Sequence, residues 1–182
     1  MKKFGGSAFF IDRDDINTDE IIPAKYLTEI TKRALQPHLL EDLFLDGKEF
    51  DTQAEAFQEA AVLVTRSNFG CGSSREHAVW ALEVNDINVV IGESFARIFR
   101  QNMFNCGILA VELSAEDIDR IFALAENAAD GGGIKVGIEL ETDTVIAENG
   151  EGEQLECGFS MNAFDKELVA AGGWLAYADQ KY

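Results

Sequence analysis

Apolar residues in this chain recur in two rhythms. Short continuous runs, Ala61 to Thr65, Ile87 to Ile91 and Ile108 to Leu113, have the length of strands buried on both faces. Helical spacing follows each of them. Ala78, Ala81 and Leu82 mark a helix over Arg75 to Val84, and Phe95, Ile98, Phe99 and Met103 keep the 3.6-residue period of one that starts at Ser94. Gly107 is a natural stop for the second, and Ser114 with Asp117 resembles a capping box opening a third over Ala115 to Ala129. Strand and helix alternating three times predict crossover units with a parallel sheet, hence an α/β fold.

The flanks are less regular. Ser7 to Ile11 reads as a short strand, and the polar segment Asp12 to Asp19 after it as a loop. From Pro23 the pattern is weakly helical through Tyr26 and Ile30; Thr31 is placed to cap a helix that Pro37 interrupts before Leu39-Leu40 and Leu43-Phe44. Beyond Gly131-Gly132-Gly133 the rhythm changes to alternation in Ile134 to Leu140 and Thr144 to Ala147, with Asn149-Gly150 as a turn and a last helix from Asn162. About 50 residues are too few for an independent domain, so residues 1–182 read as one domain.

Composition narrows the class of partner. The 182 residues are 47% hydrophobic and 26% charged, enough to bury a core, but 33 Asp and Glu against 15 Lys and Arg leave a formal charge of −18. That field repels polyphosphates and anionic lipid, and the densest basic clusters are only Lys2-Lys3 and Lys32-Arg33, so neither nucleic acid nor membrane is expected as a partner. The N-terminal apolar run is cut by Asp12, too short for a secretory signal, and no stretch approaches the roughly 18 apolar residues of a membrane span. Cys71, Cys106 and Cys157 are widely spaced, and His38 and His77 are the only histidines, so no metal or iron–sulfur site is legible in this chain. The reducing cytoplasm is the expected compartment.

The densest chemistry is Asn68-Phe69-Gly70-Cys71-Gly72-Ser73-Ser74-Arg75-Glu76-His77, a glycine-rich loop between an apolar strand and a helix. Gly70 and Gly72 permit a tight turn, the helix start offers unpaired N–H groups, and Ser73, Ser74 and Arg75 add donors suited to a carboxylate. An anion site and a plain helix cap with Arg75 and Glu76 facing solvent both fit this spacing. The loop has neither the Lys of a P-loop nor the third glycine of a dinucleotide fingerprint. Cys71 is either a thiol activated by the helix start or an incidental cysteine. In the acidic segment, Asp15, Asn17 and Asp19 match alternate positions of a calcium loop, yet Glu20 replaces its glycine; a turn held by Asp and Asn side chains is the simpler reading.

Three stretches in order resemble the small subunits of the isopropylmalate dehydratase family in the aconitase superfamily. They are Asp14 to Asp19 with Ile22-Pro23 and Tyr26-Leu27; Asn68 to Ala78; and Ala81-Leu82. The resemblance spans nearly the whole chain, and its G-S-S-R-E-H string is highly specific. It implies a single three-layer β/β/α swivelling domain with a mixed, partly parallel, barrel-like sheet, closing over a site held mainly by a larger partner subunit in a heterodimer or heterotetramer. It further implies that the [4Fe-4S] cluster sits on that partner, with no cofactor bound by this chain alone, and that the reaction removes and readds water on a malate-type dicarboxylate in leucine biosynthesis. Carried onto this sequence, the family pattern makes Ser73 the base, acting as an alkoxide, and gives Ser74 and Arg75 a substrate carboxylate. The resemblance further implies that Asn17, Thr18, Asp19, Gly70, Gly72 and His77 support the site.

Tyr26, Leu27 and Thr28 fall where the family places the loop that chooses the substrate's variable arm. Homoaconitase-like members carry Arg where this chain has Thr28, and isopropylmalate-type members an apolar residue. Lacking a charge, Thr28 disfavours a third carboxylate, although Lys25 lies close in sequence, and citramalate or dimethylmalate stay open beside isopropylmalate. Asp15 stands where an Asn is usual, and Val79 where a Pro often follows. Outside the enzymes, the alternative is a stand-alone domain that binds an anion at Ser73 to Arg75 without turnover.

Overall fold

The computed structural model of the chain describes residues 2–128 and 133–181. It opens with β1 (Gly5–Phe10) and a short helix α1 (Thr18–Ile21), followed by 3-10 turns at Ala24–Tyr26 and Lys32–His38. A small hairpin of β2 (Phe44–Leu45) and β3 (Lys48–Glu49) and a single turn α2 (Glu55–Gln58) lead to the alternating section. This comprises β4 (Val62–Val64), α3 (Glu76–Val84), β5 (Val89–Gly92), α4 (Arg97–Asn105), β6 (Leu109–Glu112) and α5 (Ala115–Glu126). The C-terminal section contains β7 (Lys135–Glu139), β8 (Thr144–Glu148), β9 (Gln154–Gly158), α6 (Ala163–Ala171) and α7 (Trp174–Lys181).

Seven strands form one curled sheet in the order β6-β5-β4-β1-β7-β8-β9, mixed and partly parallel. β6, β5, β4 and β1 run parallel, and β1, β7, β8 and β9 antiparallel. β1 joins the two halves: Ala8, Phe9 and Phe10 pair with β4, while Gly5, Gly6 and Ser7 pair with β7. β4 and β5 are buried at every position, as expected of apolar runs covered on both faces. β8 alternates, with Val145 and Ala147 buried between more exposed neighbours. α5 packs along the curl, its Phe122 ring edge-on to Phe10 and its helix also touching β9.

Several boundaries differ from the sequence pattern for identifiable reasons. The Asp12–Asp19 segment contains a helix start as well as a loop: Asn17 caps α1 in a reciprocal capping box with Glu20. α4 begins at Arg97 rather than Ser94, because the backbone of residues 94–96 is drawn into pairing with Phe69. Ile98, spaced as a core residue, is 58% exposed, whereas Phe95, Phe99 and Met103 are buried. The 24–38 region forms 3-10 turns; Pro37 lies inside the second, the Thr31 side chain makes no cap bond, and Ile30 is 93% exposed. Ser114 accepts from the Asp117 N–H as expected. This third helix ends at Glu126 with Asn127 as its C-cap, short of the expected Ala129, which with Gly131 and Gly132 lies outside the described residues. Asn162 caps α6, but a break at Gly172 and Gly173 starts a further helix, α7.

Candidate active site

Three loops leave the C-terminal ends of β1, β4 and β5, where ligands gather in parallel sheets. They continue to pair beyond the strands. Thr18 N–H donates to the Cys71 carbonyl at 2.8 Å, Gly70 N–H to that of Ile16 at 2.8 Å, and Phe69 N–H to that of Ser94 at 3.1 Å. Side chains add cross-links: Asp14 accepts from the Ser67 N–H at 2.9 Å and hydroxyl at 2.8 Å, and these bonds hold its carboxyl below the usual carboxylate range. Asp15 adopts a left-handed φ of 55° and accepts from the Asn68 amide at 2.9 Å, a geometry that Asp and Asn share.

The central loop can pass this closely only with glycine at two points. A Cβ on Gly70, at φ +80°, would lie 2.2 Å from a carbon of the Phe99 ring, and one on Gly72, at φ +107°, would press on the Thr18 hydroxyl at 3.3 Å. These positions bring the β4 loop down onto α1 and α4.

Each chemical residue that follows is tethered to a different element. Ser73 faces Thr18, with the two hydroxyl oxygens 3.3 Å apart and the Ser73 N–H donating to Thr18 Oγ1 at 3.2 Å. Because Thr18 Oγ1 already accepts from that N–H, its own proton is free to be donated to Ser73 Oγ. Thr18 is 1% exposed and thus held in place. The Ser74 carbonyl accepts from Asn102 Nδ2 at 3.4 Å, Arg75 pairs with Asp19 at 2.5 Å, and His77 Nε2 lies 3.2 Å from the Glu29 carbonyl. Helix α3 starts at Glu76 with Arg75 at its N-cap, so Ser73 and Ser74 lie just upstream of the helix rather than in its first turn.

Asn17, Thr18, Asp19, Gly70, Gly72, Ser73, Ser74 and Arg75 therefore converge, whereas His77, inside α3, turns to the Glu29 carbonyl and the Trp80 ring and does not line the cavity. Tyr26, Leu27 and Thr28 do not line the cavity beside Ser73; the next residue, Glu29, meets His77 of α3 through its carbonyl. Their segment is clamped from its other side. Tyr26 stacks on His38 with ring centroids 3.8 Å apart, and Glu41 gathers the Tyr26 hydroxyl at 2.7 Å, His38 Nδ1 at 2.6 Å and Lys25 Nζ at 3.1 Å. Burial acts to raise the Glu41 pKa, but the bonds from His38, Tyr26 and Lys25 outweigh it and hold the carboxyl below its ordinary value.

The acidic loop spends its side chains on protein donors: Asp14 on Ser67, Asp15 on Asn68, Asn17 on the α1 cap and Asp19 on Arg75. Among the described residues no three His, Cys, Asp or Glu side chains group as metal ligands. The cysteines lie apart, Cys71 in the β4 loop, Cys106 capping α4 and Cys157 buried in β9. Burial, with Asp15 and Glu20 nearby, pushes the Cys71 thiol up, and burial pushes Cys106 and Cys157 up to about 11. A raised thiol opposes the free thiolate that a nucleophile requires, and three cysteines on separate elements offer no grouped ligand set. These residues do not fit an iron–sulfur cluster.

Ser73 and Ser74 line a cavity of about 730 Å³ together with the start of α4, including Arg97, Ile98 and Asn102. The sequence pattern had assigned this stretch to a core helix. The available signal was topological: the loop after β5 must emerge beside the loop after β4 in a parallel sheet.

Residues 3–116 match the family described as the aconitase C-terminal domain. The 3-isopropylmalate dehydratase small subunit of Granulibacter bethesdensis is 39% identical over 162 residues, covering 87% of this chain and 74% of that protein. The protein of the same name from Leptospira interrogans is 38% identical over 161 residues, covering 83% and 77%. The crystal structure of 3-isopropylmalate dehydratase from Methanocaldococcus jannaschii matches with a TM-score of 0.73 at 28% identity, covering 99% of this chain and 95% of that one.

Proposed function

This chain belongs to the aconitase C-terminal domain family, and from that premise we propose that it is the small subunit of a 3-isopropylmalate dehydratase. It isomerises 2-isopropylmalate and 3-isopropylmalate by dehydration and rehydration, in leucine biosynthesis in the cytoplasm, and acts only with a large iron–sulfur subunit. The observation that carries this reading is the placement of Ser73 in the cavity lining, hydroxyl to hydroxyl with buried Thr18 and next to Ser74.

Ser73 in its ionised form takes the proton next to a substrate carboxylate and returns it to the adjacent carbon in the reverse sense. An ionised Ser73 oxygen can only accept, so the Thr18 hydroxyl 3.3 Å away donates to it and stabilises that anion. Ser74 and Arg75 hold a carboxylate, and Asp19 fixes the guanidinium beside them until substrate arrives. The [4Fe-4S] cluster lies on the large subunit, where it supplies a Lewis acid for the departing hydroxyl. Thr28 carries no charge and Lys25 is occupied by Glu41, so the arm-choosing segment offers no free cation to a third carboxylate.

The test is anaerobic co-expression with a large subunit, followed by a dehydration assay on 3-isopropylmalate. Turnover that needs both chains and collapses in Ser73→Ala is expected. Turnover confined to citramalate, dimethylmalate or homocitrate would change the substrate, and failure to assemble with any large subunit would leave a stand-alone anion-binding domain.

A further inference from the structure

The cavity beside Ser73 and Ser74 has a cation in its lining that the proposed chemistry has not used. Arg97, the first residue of α4, lines it and is exposed, and it makes no hydrogen bond or ion pair among the described residues. Arg75 is engaged by Asp19 and is not part of the cavity lining, and Arg100, one turn further along α4, faces Glu112 at 3.8 Å. Arg97 is thus the one basic side chain lining the cavity among the described residues. In a chain of formal charge −18, an arginine left unpaired at a cavity offers an anion a site that the surrounding field otherwise opposes.

A malate-type substrate carries two carboxylates, and each costs free energy to desolvate without a partner. One is assigned to Ser74 and Arg75. We propose that Arg97 pairs with the second carboxylate in this cavity, and that it is the residue of this chain that selects a dicarboxylate over a monocarboxylate. The planar guanidinium suits a carboxylate through two parallel N–H bonds, which an ammonium does not reproduce. Ile98, beside it in the same lining and 58% exposed, presents apolar surface toward the same space. The proposal rests on the dehydratase reading for its substrate class.

The experiment compares Arg97→Gln and Arg97→Lys with wild type in the assembled two-subunit enzyme. The Gln variant is expected to raise KM for the diacid by roughly 10- to 100-fold with a smaller change in kcat, and Lys to recover part of the loss. Competitive inhibition by a diacid analogue should weaken in parallel, while inhibition by the same analogue lacking one carboxylate stays unchanged. A KM within about twofold of wild type, or equal weakening of both analogues, overturns the proposal. So does a loss traced to weaker subunit association, measured by titrating one subunit with the other, because Arg97 then serves the partner. Should the wild-type complex turn over no malate derivative, the dehydratase reading fails by itself. The Arg97 proposal is then decided on the isotopically labelled full chain: malate, but not lactate, should shift the Arg97 side-chain N–H resonance, and no shift overturns it.

Discussion

The two halves of the sheet share β1 and differ in almost everything else. The parallel half is built from short strands buried on both faces, and its C-terminal ends release the loops that carry Asp14 to Thr18, Gly70 to Arg75 and Ala96 to Arg97. The antiparallel half alternates buried and exposed residues, closes its strands with tight turns and contributes no candidate site residue. Parallel strands cannot be joined by hairpins, so their connections must leave and return at opposite ends, concentrating loops at one edge. Antiparallel strands use up their ends in turns such as Asn149–Gly152, where Asn149 accepts from the N–H groups of Glu151 and Glu153. One half thus carries the candidate site residues, and the other extends the sheet.

This division is tested by substitutions that should damage one property and spare the other. Ser73→Ala should lower turnover by about 10²- to 10⁴-fold while moving the unfolding free energy by less than about 0.5 kcal/mol, measured by steady-state assay and denaturant titration. Gly70→Ala should cost roughly 3 kcal/mol of stability, since it combines a left-handed φ with a Cβ placed against the Phe99 ring; urea unfolding measures it. Val145→Ala, at a fully buried position of β8, should cost about 1–3 kcal/mol and leave kcat unchanged. A fall in kcat in that variant would break the comparison. Thr18→Val should lose about 1 kcal/mol and roughly tenfold in kcat, because the Ser73 N–H and Oγ both lose their partner.

The smallest effect is expected at the clamp on the 26–28 segment. The folded-state pKa of Glu41 lies below its ordinary value of 4.5, so the stabilisation it provides is complete above that value and is lost as pH falls through the lower folded value. An acid titration followed by NMR should show the Tyr26 and His38 ring resonances moving together in that range, with Glu41→Gln abolishing the transition. Movement in the opposite direction, a clamp tightening in acid, would contradict the hydrogen-bond network.

Much of the fold was legible because period and composition are local. The runs at Ala61 to Thr65, Ile87 to Ile91 and Ile108 to Leu113 became β4, β5 and β6, and Ser114 and Asn162 capped helices as their side chains predict. Errors collected where tertiary contacts override local preference. Ile98 keeps helical spacing yet faces the cavity, and residues 94–96 forgo helix to pair with Phe69. β9 and α7 escaped notice: β9 has only Cys157 buried, and α7 is amphipathic only weakly, with no buried residue among those described.

The sequence by itself determined the alternating α/β order, the glycine-rich loop and the residue types able to hold a carboxylate, because steric freedom, periodicity and functional groups are properties of each residue and its near neighbours. Only the tertiary structure decided that Thr18 meets Ser73, that Asp19 occupies Arg75 while Arg97 has no partner among the described residues, and that Glu41 accepts from Tyr26. Those contacts join residues 15 to 56 positions apart, and which side chain is satisfied depends on how strands of one sheet bring their ends together.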